Sequence, residues 1–292
     1  MQEVAYSRSD SIWDSDYYAL VNACRLGELQ TVKLLIDEGC EFTKDCEWAF
    51  RNAVFGGSYE VVKYLVSEGS NPSAYGEHGL KHSCEKGDIE MVKLLVSYGC
   101  DYRCDNDRPL SLAAENGKEE VLDYLLSLGA DFRKNNATMQ AAANGHLKIT
   151  KKLVSLGGDA LVFDSEALVV ACMQNYFDMV GYLLSQGANI HAHNDRPNSY
   201  AQNHKSYESI YLLVKAGVSL ADTHRTEHHV SEKEKDFIER YVAFRKKVDE
   251  RRKTLAQEKI YFWWIPICYD ITRECGQRMR EKNYKQYVEM LA

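Results

Sequence analysis

Proline is scarce in this chain, with four among 292 residues. No apolar run approaches the roughly 18 residues that a membrane-spanning helix needs. The N-terminus, Met1-Gln2-Glu3-Val4, has no basic segment leading into an apolar core, so no secretory signal is expected. Nine cysteines form no Cys-x-x-Cys pair, and Cys100 with Cys104 is the only close spacing, which leaves the usual zinc patterns missing. Scattered free thiols suit a reducing compartment, and a cytoplasmic location is expected. Neither G-x-x-x-x-G-K-[ST] nor G-x-S-x-G nor H-E-x-x-H occurs. The pair His191 and His193, and the group His224, His228 and His229, lack a Cys or carboxylate cluster that would complete a metal site. No catalytic residue, metal or other cofactor is assigned, and the chain is read as a non-enzyme.

Charge is unevenly distributed. Residues 1–220 carry 20 Lys and Arg against 30 Asp and Glu, whereas residues 221–292 carry 16 against 13. An acidic body excludes the continuous basic face that nucleic acid requires. The change near residue 220 marks a candidate domain edge.

Glycine is plentiful, and its placement is regular. Gly39, Gly69, Gly99, Gly129, Gly157, Gly187 and Gly217 follow at intervals of 30, 30, 30, 28, 30 and 30. Gly27, Gly57, Gly87, Gly117 and Gly145 each precede one of them by 12. A fixed period in this range signals a solenoid. Before each later glycine stands an apolar pair, such as Leu95-Val96 or Leu125-Leu126, with Val92 or Leu122 three residues earlier. That spacing is one face of a helix, and the glycine sits where the helix must stop. A shorter helix precedes it, with small residues in one column: Ala23, Ala53, Ser83, Ala113, Ala141, Ala171 and Ala201. A column this small implies close approach of a neighbouring helix. The next column holds Cys24, Val54, Cys84, Ala114, Ala142, Cys172 and Gln202, so its cysteines read as buried fillers.

The best copy runs Arg108-Pro109-Leu110-Ser111-Leu112-Ala113-Ala114-Glu115-Asn116-Gly117 and ends Leu125-Leu126-Ser127-Leu128-Gly129-Ala130-Asp131. It resembles the ankyrin repeat, T-P-L-H-x-A-A-x-x-G through L-L-x-x-G-A-D. The resemblance implies an all-α ankyrin-repeat solenoid of about seven helix-turn-helix units over residues 16–220, followed by a helical C-terminal tail. Arg108 and Ser111 stand where the family has Thr and His, so that hydrogen-bond network is not carried over. The period is also shorter than the family's ~33. Three residues are missing from the turn, which predicts stubby fingers such as Asp105-Asn106-Asp107 and Asn194-Asp195-Arg196. The short period and the Tyr-Leu-Val-Ser phrasing resemble the ankyrin proteins of giant amoeba-infecting DNA viruses, as does the segment Ile260–Tyr269.

The resemblance further implies a protein-protein interaction scaffold that holds a protein partner, host or viral, on the concave surface. The contacts would come from the fingers and from the two positions after the small columns. The candidates are Arg25, Phe55, Glu85, Lys86, Glu115, Asn116, Asn144, Met173 and Gln174. These positions vary widely while the packing columns stay fixed. Phe55 and Met173 stand out, because an apolar anchor can carry more binding energy than rim charges.

The lead-in is expected over 1–15, a linker over 221–230, and a helical cap or docking segment over 231–292. Ser231 and Glu234 have capping-box spacing for a helix that presents Phe237, Ile238, Tyr241, Val242 and Val248. Trp263 and Trp264, in the aromatic stretch 260–269, are candidates for docking on the array or on another protein. Self-assembly through this tail, as in a virion-associated protein, or recruitment of a second protein by it, is the alternative function. A monomer is favoured, and no membrane or nucleic-acid partner is expected.

Overall fold

A computed structural model of the chain describes residues 15–219 and 232–257. Residues 1–14 of the lead-in, residues 220–231, Trp263, Trp264 and the rest of the C-terminal segment lie outside the described residues, while Ser15 already belongs to the first helix. Fifteen α-helices and no strand occur among the described residues. Seven helix pairs follow one another: Ser15–Leu26 (α1) with Leu29–Asp37 (α2), Lys44–Phe55 (α3) with Tyr59–Ser67 (α4), and Ala74–Lys86 (α5) with Ile89–Ser97 (α6). Next come Cys104–Glu115 (α7) with Glu119–Ser127 (α8), and Ala137–Ala143 (α9) with Leu147–Ser155 (α10). Val162–Met173 (α11) with Phe177–Ser185 (α12), and Ala192–Asn203 (α13) with Tyr207–Lys215 (α14), complete the series.

Each second helix ends for a local reason. At the end of α6, Gly99 has φ +90°, a conformation that L side chains rarely adopt. Its amide donates to the Val96 carbonyl, and the Cys100 amide donates to the Leu95 carbonyl. This is the Schellman arrangement, which satisfies carbonyls that the helix end would leave unpaired. The same two bonds recur at all seven glycines of that column. The first helices are not the shorter ones expected, since six of the seven have 12 or 13 residues against 9 in each second helix; they end in a left-handed residue too. Five of these are the glycines of the other column, and the last two are Asn175 and Lys205. The sequence column therefore continues through two non-glycine residues.

The first helices stack in sequence, α1 on α3, α5, α7, α9, α11 and α13. Every residue of the small column is buried, and so are Cys24, Cys84 and Cys172 beside it. On the second helices Val32, Val62, Val92, Leu122, Thr150, Val180 and Ile210 are buried. Of each apolar pair, the leading Leu of the last six repeats is buried, while the second residue is half-exposed in all seven. The pair thus straddles the edge of the core rather than lying inside it.

Burial also fixes the chemistry of the thiols. It pushes Cys24, Cys100 and Cys172 up to about 12 and raises Cys84 further. These are thiols held protonated by low dielectric, which makes them fillers rather than nucleophiles.

The chain divides into two compact units, residues 1–230 and 231–292. Among the described residues of the second, the helix Glu232–Gln257 (α15) carries Phe237 and Tyr241 with ring centroids 6.3 Å apart.

Three outcomes check this packing. Ala113 is fully buried between α5 and α9, so Ala113→Leu should cost about 1–3 kcal/mol by overpacking, read from urea unfolding. An unchanged midpoint would contradict the column. Gly56 ends α3, and a Cβ there would lie 1.9 Å from the Arg25 carbonyl oxygen of the preceding repeat. Gly56→Ala should therefore also destabilise by about 1–3 kcal/mol, although its backbone is right-handed and alanine suits it. Cys24, Cys84, Cys100 and Cys172 should resist alkylation in the native protein and react only on unfolding; fast native labelling at these four would refute their burial.

Candidate partner-binding surface

The turns between repeats differ from the stubby fingers expected at two points. Their core is a run of left-handed residues: Tyr75-Gly76-Glu77, Asp105-Asn106-Asp107, Phe163-Asp164-Ser165 and His193-Asn194-Asp195. The last run begins one residue earlier than Asn194-Asp195-Arg196. Asn and Asp tolerate this conformation because their short polar side chains bond locally, and bulky residues tolerate it poorly.

The third residue of the run does unexpected work. Glu47 accepts a hydrogen bond from the Asn71 amide at 3.1 Å, Glu77 from Asp101 at 3.1 Å, and Asp107 from Asp131 at 3.1 Å. Ser165 accepts from the Asn189 amide at 3.0 Å. Four of the turns therefore hook the backbone of the next repeat. The hooked residue, in turn, bends the chain through its own side chain: Asp101 accepts from the Arg103 amide at 2.8 Å, and Asn189 from the His191 amide at 3.0 Å. This is an Asx turn. The fifth repeat has two residues fewer. Its turn keeps only Asn135 and Asn136 left-handed, and no hook to Asp159 is found among the described residues. Asn135 instead reaches back to the carbonyls of Asp105 and Asn106, at 2.7 and 2.6 Å.

At the positions of the family's Thr and His, Arg108 donates to the Ser111 hydroxyl at 3.1 Å, so the hook stands beside this contact. The hook's signal was the aspartate or asparagine after five of the seven Gly-x pairs, together with an acid or serine eight residues beyond most of the glycines. Asp107 is the most enclosed of these acids. It is 0% exposed and pairs with Arg103 at 3.4 Å and Lys134 at 3.2 Å.

The nine candidate residues lie at the C-terminal ends of the first helices or, for Asn116, Asn144 and Gln174, one residue beyond, and none is buried. Arg25, Glu85, Lys86, Asn144 and Gln174 are exposed; Phe55, Glu115, Asn116 and Met173 are half-exposed. The structure ties some of them down. Glu115 pairs with Arg108 at 3.2 Å. Asn116 and Asn144 donate to the carbonyls four residues earlier, each at 2.9 Å. Phe55 is not a free anchor, since its ring packs against His82 at 4.3 Å and His78 at 5.3 Å between centroids. Sequence reasoning missed the turn tips Tyr75 and Phe163, both bulky, left-handed and 61% exposed.

Other clusters are spoken for. His193 pairs with Glu166 at 2.9 Å, and His191 with Asp195. No group of three His, Cys, Asp or Glu among the described residues is placed to hold a metal. An open hollow of about 730 Å³ is lined by Arg103, Asp123, Phe132, Arg133, Lys152 and Leu156 among others. Lys152 pairs with Asp123 there, and Arg133 lies over Phe132 while donating to the Leu156 carbonyl at 3.3 Å. Its cations are engaged within the fold. No described helix is long and apolar enough to cross a membrane.

His78 and His82 titrate below the ordinary imidazole value. Burial is the main cause for both; Arg51 and Lys81 add to it at His78, and Lys86 at His82. A lowered value means that the unfolded chain binds the proton more readily, so stability falls as pH drops through the ordinary imidazole range. The urea midpoint should fall between about pH 7.5 and about pH 5.5, and His78→Asn with His82→Asn should flatten that fall. An identical pH profile for the variant would contradict the assignment. Asp107→Ala should cost about 1–3 kcal/mol, because it leaves the Asp131 amide without its acceptor. A loss no larger than that of an exposed Asp105→Ala control would show that the hook contributes nothing.

No match is found among the curated proteins. A family model for ankyrin repeats, of three copies, matches residues 50–136 and 138–224. Ankyrin repeats generally mediate protein-protein interaction, and proteins built of them are generally non-enzymatic scaffolds. With the match covering more than half of its length, and helix pairs recurring in step with it, the chain belongs to the ankyrin-repeat family.

Proposed function

We propose that this protein is a non-enzymatic scaffold that holds a protein partner along the face formed by its first helices and turns. One observation carries the reading: fixed, buried packing columns alternate with accessible positions whose character changes from repeat to repeat. Arg25, Phe55, Glu85, Glu115 and Met173 occupy one such column. Core packing constrains none of them to its chemistry, and a surface that recognises something specific needs this variety. The bulky left-handed turn tips Tyr75 and Phe163 support it further. Each strains the backbone by about 1–2 kcal/mol without being buried in return, and such strain concentrates where function needs it.

The short repeat period and its phrasing support a viral setting, with a host or viral protein bound in the cytoplasm. The segment beyond Ser231 is a candidate to cap the array or to dock a second protein through Trp263 and Trp264.

Phe55→Ala with Met173→Ala tests the reading. The variant should keep its helical circular-dichroism spectrum and lose most of its affinity for the partner captured by the wild type, measured by titration calorimetry. Equal affinities would overturn the proposal.

A further inference from the structure

We infer that Asn116-Gly117 and Asn144-Gly145 are two modification sites, where asparagine converts to aspartate or isoaspartate, and that the stacking of the next repeat controls both.

Asn-Gly occurs at these two places in the chain, and each falls at the stop of a first helix. At the other glycine stops of that column the preceding residue is Leu26, Gly56 or Lys86. The chemistry is intrinsic to the dipeptide. The glycine amide gives up its proton to a solvent base, and its nitrogen attacks the asparagine Cγ. A C–N bond forms, ammonia leaves, and water opens the resulting cyclic imide to aspartate or isoaspartate. Glycine favours the step because it has no Cβ to crowd the attacking nitrogen. The fold makes that glycine hard to replace. Gly117 and Gly145 have φ +72° and +80°, and an added Cβ would lie 2.6 Å from the His146 ring at the first and 2.8 Å from the Tyr176 ring at the second.

The folded turn keeps both sites closed. With ψ at 8° for Asn116 and 7° for Asn144, the glycine nitrogen is turned away from the side chain. The cyclic imide needs the asparagine Cβ, Cα and C nearly coplanar with that nitrogen. The side-chain amides are held too, on the carbonyls of Leu112 and Gln140, each at 2.9 Å. The Gly117 amide donates to the Ala114 carbonyl at 3.3 Å, and the Gly145 amide to the Ala142 carbonyl at 3.1 Å. The ring over each glycine comes from the following repeat, since His146 precedes α10 and Tyr176 precedes α12. His146 also bonds the Glu115 carbonyl at 2.9 Å. Reaction therefore requires the ring to lift and the turn to rotate, which is local opening between neighbouring repeats. Water is already at hand, because Asn116 is half-exposed and Asn144 exposed.

The product strains the array in which it forms. A carboxylate at the end of α7 or α9 meets the negative end of the helix. It also sets an acceptor against the Leu112 or Gln140 carbonyl, where the amide had donated. Isoaspartate further lengthens the backbone inside a tight turn. Each event favours the opening that permits the next, so the middle repeats carry an irreversible switch.

The full-length protein, incubated at mildly alkaline pH with and without urea, provides the test. Conversion at each site is followed by peptide mass spectrometry. Both asparagines should convert in urea, and at least about tenfold more slowly in the native protein. Tyr176→Ala should speed native conversion at Asn144 and leave Asn116 as an unchanged internal reference, under conditions where circular dichroism shows the variant folded. Asn116→Asp with Asn144→Asp should lower the urea midpoint at neutral pH. Absence of conversion in urea would overturn the sites. Native conversion as fast as in urea would overturn the gating, and so would a Tyr176→Ala variant that accelerates both sites equally or neither. An unchanged urea midpoint in the double aspartate variant would overturn the switch.

Discussion

The hydrogen bond from one turn's side chain to the next repeat's backbone sets the register of this array. Helix packing alone holds neighbours together but slides easily along a column of small residues. Glu47, Glu77, Asp107 and Ser165 remove that freedom, because each fixes a backbone amide of the following repeat. The left-handed run aims these side chains forward, and the Asx turn just after each amide keeps it in place. Where the fifth repeat loses residues, the hook goes too, and Asn135 makes a backward contact instead.

This arrangement explains why the period can be so short. A long finger is dispensable when three left-handed residues reverse the chain and one of them bonds across. The cost is backbone strain, least for the Asp and Asn runs and greatest at Tyr75 and Phe163. Those two aromatic tips therefore separate a structural part of the turn, its third residue, from a displayed part, its first.

Much of the fold was legible because glycine and small-residue columns report backbone constraints directly. Gly99 marks a left-handed stop, and Ala113 marks a close helix contact; neither depends on distant residues. The hook's column was present in the sequence, but its spacing alone does not say what it bonds. Glu77 looks like any surface acid in sequence, and only the left-handed backbone before it turns the carboxylate inward. Phe55 was read as an open anchor because His78 and His82 lie on another helix, and sequence spacing does not show that their rings reach it. Asn175 and Lys205 escaped the glycine column because the same backbone state is strained, but not forbidden, for other residues.

Hydrogen exchange at single amides tests the central claim most directly. The amides of Asn71, Asp101, Asp131 and Asn189 lie in connections, where exchange is ordinarily fast, and the hook predicts that they are protected well above the unhooked Asp159 amide. Exchange at those four as fast as at Asp159 would mean that the turns do not fix the register, and the account would fail.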